Sequence, residues 1–158
     1  MCRRKSSVSS RSKMLLSITR LRLARWKLLP GFFKVAASCE QQAVADPACV
    51  GVAKYTGPGP VFWTATLWRS ELEMRNYLST GAQREALPLL SGWCSEACTA
   101  QLSVDTLALP TRDELPGYLS RRAKFIPVKE PSPLQQSAIV PPGMPWIRRV
   151  LKTHIVRT

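Results

Sequence analysis

The apolar positions of this chain fall into stretches of period two and stretches with steps of three and four. In residues 17–23 (SITRLRL), Thr19, Leu21 and Leu23 lie on one side and Arg20 and Arg22 on the other, the pattern of a strand with one buried face. Drawn instead as a helix lying on a membrane, the same stretch scatters its arginines, so the strand is preferred. Pro30-Gly31 then punctuates the chain, and Pro30 suits the first turn of a following helix. Phe33, Ala36, Ala37, Ala43 and Val44 predict the apolar stripe of that helix, which ends at Asp46-Pro47. Residues 49–55 and 61–68 are rich in Val, Thr and aromatics and are joined by TGPGP, which predicts a hairpin. The second of these strands alternates Val61, Trp63, Ala65 and Leu67 with Phe62, Thr64, Thr66 and Trp68. Both faces are largely apolar, so both are expected to be covered. Helices on one side alone leave the other face for a dimer partner.

Ser70 three residues before Glu73 forms a capping box, followed by a short helix carrying Leu72, Met74, Tyr77 and Leu78 up to Gly81. Residues 82–97 place Ala86, Leu87, Leu90, Trp93, Cys94 and Ala97 at helical spacing, with Pro88 bending the helix or shifting its start. Residues 98–104 (CTAQLSV) read as a half-buried strand. Eight prolines between Pro110 and Pro145 predict an extended tail, closed by a basic amphipathic helix over 146–156. The order is that of an α+β, ferredoxin-like β-α-β-β-α-β sandwich with an antiparallel sheet. Three parts are expected: a basic disordered arm over 1–13, the domain over 14–109 and a Pro-rich basic tail over 110–158.

Charge changes the picture at the ends only. The chain has 23 Lys and Arg against 10 Asp and Glu, a net charge of +13, but residues 41–120 are slightly acidic and the excess lies on either side of them. No apolar run reaches the roughly 18 to 20 residues needed to span a bilayer. The arm MCRRKSSVSSRSK has the Arg- and Ser-rich, acid-free composition of a solvated tail or an organelle-targeting segment, or translation begins at Met14. The stretch MLLSI is too short for a secretory core. Five cysteines suit reduced thiols in the cytoplasm rather than a disulfide framework. Cys94 and Cys98 are four apart, but the only histidine is His154, so no metal site is expected.

The stretches TRLRL, LPGFF, FWTATLW and SELEMRNYLSTGAQREALPLLSGWCSEA resemble the antibiotic-biosynthesis-monooxygenase group of the dimeric α/β-barrel superfamily. The match rests on Phe62-Trp63-Thr64, Leu67-Trp68, Met74-Arg75, Gly81-Ala82, Arg84 and Trp93-Cys94, and the tail lies outside it. The resemblance implies a homodimer with its sheets face to face and, in each protomer, a pocket between sheet and helices. It makes Trp63, Tyr77 and Trp93 candidate walls and Asn76, Gln83 and Arg84 candidate polar contacts. Packing in the core competes as a role for the aromatics, and a solvated or Glu-paired face competes for Arg75 and Arg84. Gln83 stands where such relatives carry His, which removes a proton carrier and metal ligand. Without a core histidine no haem ligand is present, and no cofactor is expected.

No Ser-His-Asp, Cys-His, phosphate-loop, dinucleotide or paired-carboxylate signature occurs, so no catalytic residue is assigned. The first functional reading is a monooxygenase-like protein that binds a small hydrophobic or aromatic metabolite, as a cofactor-independent oxygenase would. The alternative is a non-catalytic dimeric binding module. A third reading places the basic ends on nucleic acid or an anionic membrane surface; sparse aromatics and the absence of a nucleic-acid motif weigh against it.

Overall fold

The first strand begins earlier than predicted, with Met14 and Leu16 packing on one face and Leu15 on the other. In the computed structural model, which describes residues 13–153, β1 spans Met14–Leu23. A single 3-10 turn (Trp26–Leu28) leads into α1 (Leu29–Ala45), then β2 (Cys49–Thr56), β3 (Val61–Trp68), α2 (Glu71–Leu78), α3 (Gly81–Trp93) and β4 (Cys94–Val104). Four shorter elements follow: α4 (Leu115–Arg122), β5 (Lys124–Phe125), α5 (Pro133–Gln136) and β6 (Ile147–Lys152). All six strands form one antiparallel sheet in the order β5-β4-β1-β3-β2-β6. Its inner four strands have the ferredoxin-like order.

The local signals act much as their chemistry dictates. Ser70 Oγ accepts from the Glu73 N–H at 3.3 Å, as the capping box requires. The reciprocal arm differs, since the Ser70 hydroxyl donates to Glu73 Oε2 at 3.2 Å. The stripe of α1 is shifted by one residue: Phe32 and Ala43 are buried and Phe33 is 52% exposed. With Val35, Ala36 and Cys39 on the same side, the true stripe keeps steps of three and four but starts one position earlier. Residues 94–97 are strand instead of the end of α3. Their helical spacing is overridden by pairing with β1, whose register shifts between Arg22 and Leu23. That shift also separates the two thiols, placing Cys94 in the cluster beneath the N-terminal turn of α1 and Cys98 in the cluster on the opposite face.

Register assigns each residue to a face. Leu16, Ile18 and Arg20 of β1 share one face with Val61, Trp63, Ala65 and Leu67 of β3 and with Cys98 and Ala100 of β4. Helices α1, α2 and α3 cover the other face. The apolar first face is covered by the chain itself, which corrects the reading of residues 110–152 as an extended tail. Leu109 lies so close over Gly51 that an added Cβ there would meet it at 3.0 Å, and the Tyr55 hydroxyl donates to Pro110 O at 2.6 Å. Helix α4 then lays Leu115 and Leu119, both 0% exposed, into the same core as Trp63, Tyr55 and Ile18. Beyond it, β5 extends the β4 edge, Ile126 and Val128 reach the helical side, the chain returns to the first face where Val140 packs against its core, and β6 pairs with β2 at the far edge, where a helix was expected. The segment is a belt around the sheet.

Several of its cations are spent on backbone carbonyls: Arg148 on Pro110 O, Lys152 on Val44 O and Asp46 O, and Arg112 on Trp146 O. The covered face also holds an ion pair. Arg20 Nη1 donates to Glu96 Oε2 at 2.7 Å, with both side chains buried, while Ser132 of the belt donates to Glu96 Oε1 at 3.0 Å. The Arg20 guanidinium carbon lies 5.6 Å from the Trp63 ring centroid. The expectation of a homodimer through this face rested on its being open, and α4 occupies it. Residues 1–12 of the basic arm expected over 1–13, and residues 154–158 with His154, lie outside the described residues. Among the described residues no helix is long and apolar enough to cross a membrane.

Two outcomes follow from this packing. Leu119→Ala deletes a fully buried side chain and is expected to lower unfolding stability by about 2–5 kcal/mol in urea titrations; a loss within about 0.5 kcal/mol would mean the belt is peripheral to the core. The second concerns pH. Burial raises the thiols from 9.0 to about 11 for Cys49 and Cys98 and about 12 for Cys94. Above pH 9 the unfolded chain releases thiol protons that the folded chain still holds, so the thiols' contribution to stability is constant below pH 9 and is lost from there toward pH 11–12. Urea titrations between pH 8 and 10 should show that fall, and Cys94→Ala should make it shallower; an equal slope in the variant would refute the assignment.

Candidate functional site

Helix α1 carries its buried stripe diagonally over the sheet, and α2 and α3 form the rest of the roof. The two roof helices meet at Gly81, whose φ of +58° is left-handed and costs glycine no Cβ clash. Gln42 of α1 holds this break. Its Nε2 donates to Thr80 O at 2.9 Å and to Tyr77 O at 3.3 Å, and its Oε1 accepts from the Gln83 N–H at 2.9 Å. One side chain thus satisfies open backbone groups at the end of α2 and the start of α3. A Cβ at Gly81 would also press on the Gln42 carboxamide at 3.3 Å.

Beneath this roof lie two adjoining cavities. The first, about 110 Å³, is walled by α1, α2 and α3 with Val52, Thr64 and Thr66 of β2 and β3. The second, about 140 Å³, sits between α3 and the strands β1 and β4, and is closed by Ile126 of the belt. Ser17, Thr19, Leu21, Leu78, Gln83 and Leu90 belong to both. The sheet supplies a polar floor in two cross-strand rows, Thr99–Thr19–Thr64 and Gln101–Ser17–Thr66. Some of these groups are committed: Thr99 Oγ1 donates to Ile18 O at 3.0 Å, and Thr66 Oγ1 accepts from Trp68 Nε1 at 2.8 Å. Ser17 and Thr64, and Gln101 at the exposed rim, make no side-chain hydrogen bond with the described residues, which leaves them for a ligand.

Of the residues singled out from the sequence, the structure brings Tyr77 and Gln83 together at this cavity. The Tyr77 hydroxyl donates to Cys39 O at 3.1 Å and approaches Gln83 Oε1 at 3.3 Å, and its ring packs 4.8 Å from Trp68. Trp63 is not a wall. It points from β3 to the belt-covered face, sharing the phase of Val61, Ala65 and Leu67. Trp93 packs under the start of α1, where Gly31 would carry a Cβ 3.5 Å from its ring, and it lines neither cavity. Asn76 and Arg84 are on the exposed faces of α2 and α3, and Arg75 pairs with Glu71 at 2.6 Å in solvent. The hydroxyl floor was missed. Its signal was present in Thr19, Thr64, Thr66 and Thr99, each set at period two, but only the pairing register aligns them.

Apart from Glu40, whose carboxylate pairs with Lys54, the cavities are lined by neutral side chains. Burial, reinforced by neighbouring Cys39, Cys49 and Glu40, raises the Tyr77 phenol well above its ordinary range. Burial, then Glu40, raises the Cys39 thiol. Glu40 is paired with Lys54 at 3.3 Å. Among the described residues there is no cluster of three or more His, Cys, Asp or Glu that could hold a metal ion. The arrangement can desolvate an apolar molecule and orient its oxygen atoms by hydrogen bonds.

The sequence matches no protein-family model and no curated protein. Solved structures do share its fold. A conserved protein from Methanosarcina mazei matches with a TM-score of 0.54 at 12% identity, over 60% of this chain and 95% of that one. An antibiotic biosynthesis monooxygenase matches with a TM-score of 0.52 at 12% identity, over 61% and 99%. SnoaB, a cofactor-independent oxygenase from Streptomyces nogalater, matches with a TM-score of 0.51 at 12% identity, over 62% and 98%. Each is covered almost whole while about two-fifths of this chain has no counterpart in it. The chain thus has the ferredoxin-like fold of antibiotic-biosynthesis-monooxygenase-like proteins, with additional residues of its own.

Proposed function

We propose that the chain binds a small hydrophobic or aromatic metabolite bearing a hydroxyl or carbonyl oxygen, in the cavity between sheet and helices. The observation that carries this reading is a floor of uncommitted polar side chains, Ser17 and Thr64, with Gln101 at the exposed rim of the second cavity, under apolar walls that include Phe32, Ala43, Met74 and Leu90. Such a site gives affinity by burying apolar surface and orientation by a few hydrogen bonds. The cavity is built within one chain, and the sheet face through which the resemblance implies a homodimer is taken by α4.

The oxygenase reading draws support from the shared fold with a cofactor-independent oxygenase and from a pocket whose one charged lining residue, Glu40, is held by Lys54. A substrate that itself supplies electrons to O₂, such as an electron-rich phenol, needs desolvation and orientation, which these residues offer. Calorimetry with 1-naphthol and naphthalene tests the binding step. Both should bind, and Thr64→Val should weaken 1-naphthol about tenfold, or about 1.4 kcal/mol, while leaving naphthalene unchanged. Binding of neither compound, or equal losses for both, would sink the proposal. Oxygen uptake on adding 1-naphthol separates an oxygenase from a binding module.

A further inference from the structure

The second cavity has one wall that does not come from the β1–β4 unit. Ile126 belongs to the belt, just after β5, and closes the β4 end of the space floored by Ala97, Thr99 and Gln101. Its position is fixed from several sides. The Ile126 N–H donates to Ala97 O at 2.9 Å, and Gln135 Nε2 donates to Ile126 O at 2.9 Å. The Gln135 carboxamide also accepts from the Ala97 N–H at 3.1 Å and donates to Ala97 O at 3.3 Å, so it staples the belt to β4. Further along, the Lys129 N–H donates to Ser91 O of α3 at 3.0 Å, and the Ser132 N–H to Ser95 O at 2.9 Å.

The two cavities lie in line across the strands, from Val52 of β2 to Thr99 of β4, with common walls at Thr19 and Gln83. Three interstrand spacings make that path about 14 Å. Such a path suits a molecule longer than it is wide, with its oxygen over the central strands and an apolar end toward β4. We infer that the ligand is an elongated apolar molecule lying across the sheet, and that Ile126, held by Gln135, is the end wall that sets its length. This rests on the proposed binding site and goes beyond it by naming the shape of the ligand and the residue that selects for it. Gln135 is a positioning residue, acting through Ile126.

The test uses 4-n-alkylphenols from ethyl to nonyl, titrated calorimetrically into the full chain. Affinity should rise about fourfold per added methylene, the equivalent of about 0.8 kcal/mol, until the chain meets the end wall, and then fall. Ile126→Ala should move the tightest-binding homologue to a longer alkyl chain and Ile126→Phe to a shorter one. Ile126→Val, which keeps most of the packing, should give a smaller shift in the direction of Ile126→Ala and serves if that variant does not fold. Gln135→Ala should flatten the discrimination between neighbouring homologues. If the wild-type chain binds the series but every Ile126 variant prefers the same homologue, the end-wall assignment is overturned and the binding site stands. If the wild-type chain binds none of the series, the binding site itself is wrong and this inference falls with it.

Discussion

A sheet that carries large apolar side chains on both faces must have both of them removed from water, and the rest of this structure follows from how that is done. Both sides of β3 carry large apolar residues: Val61, Trp63 and Leu67 on one, and Phe62 and Trp68 beside Thr64 and Thr66 on the other. The helical layer covers the second, as in any ferredoxin-like sandwich. The belt covers the first. Each fully buried leucine of α4 removes an area whose transfer is worth about 1.5–3 kcal/mol, and the belt's clasp of the sheet at both edges keeps α4 in place.

Cover from within the chain also changes what the face can carry. Arg20 and Glu96 lie on it, and charges removed from water are costly unless paired and hydrogen-bonded. Here the pair is closed at 2.7 Å, and Ser132 of the belt supplies a further donor to the carboxylate. The alternation TRLRL therefore does not separate a buried row from a solvated one. Arg20 is buried and Arg22 is half exposed, although both point to the same side.

Much of the core was legible because its signals are local. The hairpin, the capping box at Ser70 and the glycine break at Gly81 each depend on a few neighbouring residues, and each stands where the sequence puts it. What was not legible depends on pairing. Residues 94–97 keep helical spacing yet join β4, because β1 offers them backbone partners. Leu115 and Leu119 are four apart, directly around Pro116 in a first helical turn, a signal outweighed by proline density in the surrounding segment. In the candidate site, Tyr77 and Gln83, which the resemblance implied, lie on either side of the helix break and line the cavity. Trp63 was misplaced because an aromatic residue on a two-faced strand does not announce which face holds the cavity, and the threonine floor awaited the register that sets Thr19 between Thr64 and Thr99.

The belt has a thermodynamic consequence for the whole molecule. A face buried by a second chain is secured only as far as the concentration of that chain allows, since association is a bimolecular equilibrium. A face buried by a segment of the same chain is secured by a local concentration set by chain connectivity, which dilution does not alter. The face of the sheet that α4 covers is therefore completed by a unimolecular event, and dilution does not uncover it.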